Sequence, residues 1–520
     1  MYAPRVPDSV SRSRPSAPAV SVMVAACAVL AGGCHTAPTP PKRMKMTTQI
    51  PDGVATPDRL KTSIGTLTSV DGVPDVQTTR LVYDNLDFQR ATQAYLASLP
   101  IASMYAMREG LVSFGPANTT VVQFQQLMDS KALWLTPNTT SVYMAAWLEM
   151  TDEPWVIEAP PNVLGIIDDF WFRYVADFGN AGPDKGQGGK FLVLPPGYEG
   201  DVPAGYYVTQ SSTYGNWVVW RGFQEEGDPA PAVEATKRLF RMYPLSKKDD
   251  PPQMTFVNAS GVFHNTIHRM DEGIWEEIDA VVQAEPSEGM DPEILGQLAS
   301  IGIRKGTPFA PDDRMRGILA DAARVAAVTV RALAARPRED VFYFYPGEST
   351  CWMTPFVGGS HEFLADGVRL LDARNYFHFY ATGITPAMAS APIGKGSQYA
   401  VAYMDSDGNP FDGGRTYKLH LPKDVPAKDF WSFTLYGNQT RALLQTDQQF
   451  PGIDNNKPGL IQNSDGSYDM YFGPMAPAGM EQNWIQTVPG KGWNVILRLY
   501  GPLEPWFDKT WRPGDFELVE

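Results

Sequence analysis

The chain has 520 residues, with 43 Lys+Arg against 58 Asp+Glu, 43 % hydrophobic residues, and 13 Trp, 22 Tyr and 25 Phe. That length corresponds to roughly two to four domains, and the apolar and aromatic content excludes disorder as the main state, because a disordered chain lacks the surface that offsets ordering entropy. A net charge of -15 without a Lys/Arg stripe excludes a nucleic-acid binder.

The first 33 residues have the layout of a secretory signal: Arg5, Arg12 and Arg14, an apolar stretch from Ala19 to Leu30, then Ala31-Gly32-Gly33 before Cys34. About a dozen apolar residues are too few for the roughly 20 that span a bilayer. Leu30-Ala31-Gly32-Gly33-Cys34 resembles the lipobox of bacterial lipoproteins, which implies cleavage before Cys34 and its acylation, with palmitate among the acyl chains. His35 rather than Asp after the cysteine favours the outer membrane, with the body facing the periplasm or the surface. Cleavage there removes three Arg and Asp8, so the mature charge is -17 (-15 less a net +2) and a lipid rather than a basic patch holds the body at its membrane. Thr36 to about residue 58, with Pro38, Pro40 and Pro41, reads as a tether. Cys27 leaves with the signal and Cys34 carries lipid, so Cys351 remains as a lone thiol beside Trp352 and no disulfide forms within the mature chain.

In chain order, Phe88, Ala91, Tyr95, Leu96 and Leu99 have helical spacing, with Asp87 as N-cap and Pro100 as a kink or break. A second short helix is expected over Val121–Met128. Strands follow at Ser141–Met150, Trp155–Ala159, Asp169–Phe178, Lys190–Leu194, Tyr206–Gln210 and Trp217–Phe223, separated by turns such as Pro195-Pro196-Gly197. From about Pro231 to Arg336 the chain turns helical, with Asp312 opening a segment that carries Met315, Leu319, Ala322, Val325 and Ala326, and a further helix is expected over His361–Asn375. The tail returns to strands at Tyr399–Met404, Tyr417–Leu421, Trp431–Tyr436, Tyr468–Phe472 and Asn494–Tyr500. The reading is mainly β with α elements, divided into a signal (1–33), a tether and lead-in (34–84), a first β domain with leading helices (85–230), a helical connecting region (231–397) and a second β domain (398–520).

Tyr403-Met404-Asp405-Ser406-Asp407-Gly408-Asn409-Pro410-Phe411-Asp412-Gly413, Phe430-Trp431-Ser432-Phe433, Asn483-Trp484 and Arg498-Leu499-Tyr500-Gly501-Pro502 fall in order and closely resemble a DUF1214 domain. Pro137-Asn138-Thr139-Thr140-Ser141-Val142-Tyr143, Val175-Ala176-Asp177 and Pro195-Pro196-Gly197-Tyr198 look like a DUF1254 domain, which commonly has Asp where this chain has Thr140. Together the two cover most of the chain after residue 85. The resemblance implies two jelly-roll-like antiparallel β domains in tandem with helical insertions, and implies no reaction, since such folds host lectins, capsid proteins and enzymes alike.

Asp405, Asp407, Asn409 and Asp412 gather oxygen-bearing side chains as weak candidates for a metal, but lack EF-hand spacing and its distal Glu, and a hairpin turn accounts for them better. His264 and His268 have i, i+4 spacing, yet Asn265 follows where a zinc protease has Glu, and the surrounding sequence reads as extended. Gly186-Gln187-Gly188-Gly189-Lys190 lacks the first Gly and the Ser/Thr of a phosphate loop, and no Gly-x-Ser-x-Gly elbow occurs, so no cofactor and no catalytic residue is assigned. The candidate ligand-binding residues are Asn138, Tyr143, Asp169, Trp171, Arg173 and Asp177. If Asp169–Phe178 is one strand, alternation places Asp169, Trp171, Arg173, Val175 and Asp177 on one face, and aromatics with a few fixed polar groups suit a glycan or another small amphipathic ligand. The expected function is therefore a lipid-anchored envelope protein that binds such a ligand. The alternatives are a hydrolase using carboxylates and an oligomeric scaffold, with a homo-oligomer among the expected partners and nucleic acid not.

Overall fold

The computed structural model describes residues 44–346, 351–390 and 392–519; Cys34 and the signal lie outside them. A small antiparallel sheet of Arg59–Thr62, Gly65–Val70 and Val73–Pro74 leads into helix α1, Val76–Val112. The helix starts a dozen residues before the expected Asp87, because Asp75 is its N-cap and accepts the Thr78 N–H at 2.7 Å. It also runs through Pro100, which is buried along with Leu96, Leu99, Ile101 and Met104. Packing on both sides of the proline outweighs the one backbone hydrogen bond it removes.

The expected helix at Val121–Met128 is instead a strand, Thr120–Gln123, with all four residues buried. Its β-branched run lies between Val142–Glu149 and Thr255–Asn258 in a six-stranded sheet, whose order continues Gly215–Gly222, Val163–Asp169, Tyr174–Gly179. A four-stranded sheet of Tyr207–Gln210, Gly189–Leu194, Trp155–Ala159 and Arg241–Pro244 packs against it. Alternation decides what lies between them: Val142, Met144, Ala146, Leu148, Val218 and Trp220 meet Ile157, Phe191, Val193 and Met242 in one core. The opposite face of the six-stranded sheet presents Tyr143, Trp147, Trp217, Val219 and Arg221 to the rest of the molecule.

Helix α2, Ala230–Leu239, closes that sandwich. Helices α3 (Ile274–Ala284), α4 (Pro292–Ser300), α5 (Asp313–Ala335) and α6 (Leu371–Tyr380) pack on α1 as one layer. Helix α5 begins as its sequence reads, with Asp312 accepting the Met315 N–H at 2.8 Å. Helix α6 starts ten residues later than expected, because Leu364–Ala365 and Val368–Arg369 form a hairpin around Gly367, whose φ is 79°.

The second domain is a sandwich of two four-stranded sheets, ordered Ser397–Ala402, Trp493–Pro502, Ala427–Gly437, Gly452–Asp454 and Trp484–Gln486, Tyr468–Gly473, Thr416–Leu421, Phe516–Val519. Phe433, Leu435, Leu497, Leu499, Leu419, Phe472 and Phe516 fill its interior, and Phe411 stacks on Trp493 at 4.2 Å. The alternate residues, Tyr399, Tyr436, Ile496, Arg498 and Tyr500, point out of this core toward the first domain. The protein is thus two tandem, mainly antiparallel β domains joined by a helical layer, with a parallel pair in three of the four sheets, and among the described residues neither closes into a barrel. No helix among the described residues is long and apolar enough to cross a membrane.

Candidate functional site

The two outward-facing sheet surfaces and helix α6 enclose a cavity of about 1480 Å³. That exceeds the roughly 300–1000 Å³ of common ligand pockets. Trp217, Val219, Phe356, Tyr376, Phe377 and Ile496 give it an apolar wall, and Asn138, Tyr143, Arg221, Tyr399, Arg498 and Tyr500 a polar one.

Asn138 organises the polar wall. Its Oδ1 accepts the N–H groups of Thr140 and Ser141, each at 3.0 Å, and their hydroxyls at 3.2 and 2.9 Å. With Oδ1 committed, Nδ2 is left to donate, and it donates to the Tyr143 hydroxyl at 3.0 Å. The Tyr143 oxygen is therefore an acceptor toward Asn138, and its own O–H is directed elsewhere. Thr140 Oγ1 lies 3.2 Å from the Tyr500 hydroxyl, linking the two domains, and Tyr500 stacks on Phe430 at 4.0 Å.

Register brings two arginines to this wall. Arg221 pairs with Tyr143 across the first sheet, and Arg498 with Tyr399 across the second. Arg498 is buried; its Nη2 donates to Thr136 O at 2.9 Å, while its Nη1 has no hydrogen-bond partner among the described residues. Burial opposes the charge of Arg498, and the surrounding phenols of Tyr436, Tyr500, Tyr399 and Tyr143 outweigh it, so the group stays a cation.

A second cluster lies on the Tyr174–Gly179 side. Asp177 accepts the Thr385 hydroxyl at 2.7 and 2.9 Å, and burial pushes its carboxyl up to about 6. Behind it Asp168 is fully buried, with Oδ2 accepting the Ile384 N–H at 3.0 Å and Oδ1 without a partner. Burial pushes it well above the carboxylate range, and the nearby charges of Asp169 and Asp177 add to the shift.

Of the six residues proposed from sequence, Asn138, Tyr143 and Asp177 line the cavity, and Asp169, Trp171 and Arg173 do not. The expected strand Asp169–Phe178 is in fact the end of one strand, a tight turn and the start of another. Val163–Asp169 and Tyr174–Gly179 are joined through Phe172 at φ 59°. The turn breaks the alternation that grouped these residues. Asp169 instead holds Arg173 at 3.0 and 2.7 Å and accepts the Trp171 N–H at 2.9 Å, while the Trp171 side chain is buried toward the helical layer.

The Asp405 loop is a turn: Asp405 Oδ1 accepts the N–H groups of Asp407 and Asn409 at 3.0 and 2.8 Å, and Asp412 Oδ1 accepts that of Gly414 at 2.8 Å. Among the described residues no group of three or more His, Cys, Asp or Glu is arranged to hold a metal. His264 lies in an extended segment, as read, where its Nε2 accepts the Trp134 indole N–H at 2.6 Å, and His268 Nδ1 lies 2.7 Å from Arg269 O. Cys351 is buried. Sequence reasoning missed Arg221, Arg498, Tyr399, Tyr500 and Thr385. For Arg221 a signal existed, since it alternates with Trp217 and Val219 on a strand whose other face is apolar.

Fold and cavity together define a class: two β sandwiches in tandem, facing each other across a large internal site. Residues 118–244 match the family of unknown function DUF1254, and residues 396–504 the family of unknown function DUF1214. The chain thus carries both domains in tandem. The crystal structure of the VPA0106 protein from Vibrio parahaemolyticus is similar, with a TM-score of 0.51 and 18 % identity over 84 % of this chain and 100 % of that one, which supports the fold. An uncharacterized protein from Burkholderia cenocepacia gives a TM-score of 0.36 and 12 % identity over 85 % and 97 % of the two chains. No curated protein matches the chain.

Proposed function

We propose that the protein binds a small amphipathic ligand, a glycan or another envelope molecule, in the cavity between its two β domains, and that it does so anchored to the cell envelope through acylated Cys34. The observation that carries the binding reading is the cavity itself, with one wall of Trp217, Phe356 and Phe377 and the other a network set by Asn138. Such a division of apolar area and few fixed polar groups is how small-molecule sites orient a ligand. A ligand bound to the native state alone raises the melting temperature. A glycan and envelope-lipid panel is expected to contain a compound that does so, and a broad panel without any shift overturns the reading. For the anchor, which rests on the sequence before residue 44, Cys34→Ser is expected to move the protein from the membrane to the soluble fraction and abolish palmitate labelling; unchanged fractionation refutes it.

One observation favours a second reading, hydrolysis. Asp177 lines the cavity with a carboxyl near 6, in the range suited to a general acid or base. A substrate found by screening and turned over equally by folded Asp177→Asn removes that residue from any mechanism.

A further inference from the structure

Two guanidinium groups face the cavity without a carboxylate between them. Arg221 is half-buried and forms no ion pair among the described residues. Burial disfavours its charge; its electrostatic neighbours are the phenols of Tyr143, Tyr399 and Tyr500 and the like charge of Arg498, and the balance keeps it cationic. Arg498 is 3 % exposed, its guanidinium lies 5.7 Å from the ring centres of Tyr399 and Tyr436, and its Nη1 has no hydrogen-bond partner among the described residues. Of the four carboxylates that line the cavity, Asp177 accepts from Thr385, Asp454 from the Asn456 N–H at 2.9 Å and Asp429 pairs with Lys428 at 3.6 Å, while Glu226 is exposed; among the described residues none of them forms an ion pair with Arg221 or Arg498. A buried cation with an unmade hydrogen bond, next to a like charge, is costly. An anion that both guanidiniums reach removes that cost.

We propose that Arg221 and Arg498 form a seat for the oxyanion of the ligand, which is an amphipathic molecule ending in a carboxylate or in a phosphate or sulfate monoester. This rests on the reading of the cavity as a ligand site and adds to it the charge of what enters. The planar fork of each guanidinium matches two oxygens of such a group. The Tyr143 hydroxyl, which accepts from Asn138 and retains its own hydrogen to donate, supplies a third donor. The apolar body of the ligand then lies along Trp217, Phe356 and Phe377. The uncharged phenols around the arginines leave the charge of the seat uncompensated, whereas an Asp or Glu in that place would neutralise it.

The test is calorimetric titration of the full chain carrying Cys34→Ser, so that no detergent competes, with decanoate, decyl phosphate and uncharged decan-1-ol. Decanoate or decyl phosphate is expected to bind at least about tenfold tighter than decan-1-ol, and the tighter of the two identifies the head group. Arg221→Met is expected to weaken decanoate and decyl phosphate by at least about tenfold more than decan-1-ol, so that the preference is lost. The Arg221 side chain makes no hydrogen bond among the described residues, so this variant is not expected to unfold the protein; Arg498→Lys, which keeps the charge but loses the fork, is expected to weaken both anions more than the alcohol. Equal binding of all three probes, or an anion preference that survives both substitutions, overturns the inference and leaves the cavity reading standing. Binding of none of the three also overturns it, and the glycan panel then decides the cavity reading by itself.

Discussion

Asp177 is 8 % exposed, and its carboxyl titrates near 6 because burial penalises the charge more than Thr385 rewards it. The folded state therefore holds its proton to higher pH than the unfolded chain does. Between about pH 4 and 6 the native state binds more protons, so stability falls as pH rises through that window, by on the order of 3 kcal/mol. Asp177→Asn retains an acceptor for the Thr385 hydroxyl and has no charge to lose. Between pH 4.5 and 7 the melting temperature of the parent is expected to fall more than that of the variant; parallel curves would show that the charge is not what burial resists. Glu277 and Glu285, also pushed up to about 7 by burial, act equally in both proteins and cancel in the comparison. At Asn138 the dominant effect is hydrogen bonding. Asn138→Ala strands the buried N–H of Ser141 and releases Tyr143, and a loss of about 2–3 kcal/mol in urea denaturation is expected; a change below about 0.5 kcal/mol would show that water replaces the side chain.

Among the elements, the longer strands of both sandwiches and helix α5 were legible because each carries its own period and stop signals: Trp155–Ala159 ends at Pro160-Pro161, and α5 starts at Asp312 and ends before Pro337. Arg241–Pro244 and Thr255–Asn258, in the stretch expected to be helical, are instead strands of the first domain, and the short Gly452–Asp454, Trp484–Gln486 and Phe516–Val519 were not expected either. What was not legible depends on partners distant in sequence. Thr120–Gln123 is too short for its period to choose between helix and strand, and pairing with Val142–Glu149 decides it. The Phe172 turn is hidden because a buried Phe at positive φ has no turn signature, and half of the proposed site was lost with it. Conversely, Asn138, Tyr143 and Asp177, which do line the cavity, lie in the stretches Pro137–Tyr143 and Val175–Asp177 that carry the resemblance to DUF1254. Gly165 illustrates the same point on the neighbouring strand. It pairs with Phe178, whose ring lies across it, so a Cβ there would meet the ring at 2.2 Å. Phe178 is fully buried between the sheets and cannot swing away. Gly165→Ala is expected to cost about 1–3 kcal/mol in chemical denaturation, and a neutral result would mean that the sheet shifts to admit the methyl group.

For the whole molecule, the decisive feature is the segment from Ser130 to Ser141, which belongs to the first domain by chain and bonds to both domains. Gln445 donates to Ser130 O at 2.9 Å, Thr136 N–H to Arg441 O at 3.0 Å, Tyr436 O–H to Pro137 O at 2.6 Å and Arg498 to Thr136 O at 2.9 Å. One apolar core runs across the same seam, joining Tyr95 of α1, Trp134 and Trp217 of the first domain, Tyr376 of α6, and Tyr403, Tyr436 and Ile496 of the second. Separation would expose these side chains and leave those carbonyls unpaired, so the domains gain little from folding one at a time. A single urea transition is therefore expected, with tryptophan fluorescence and far-ultraviolet circular dichroism coincident, although a chain of this length with two sandwiches would ordinarily unfold in steps. A ligand in the cavity touches both domains and α6, so it is expected to move that one transition as a unit. Two resolved transitions, only one of them ligand-dependent, would mean that the seam does not couple the domains and that the cavity opens before either sandwich unfolds.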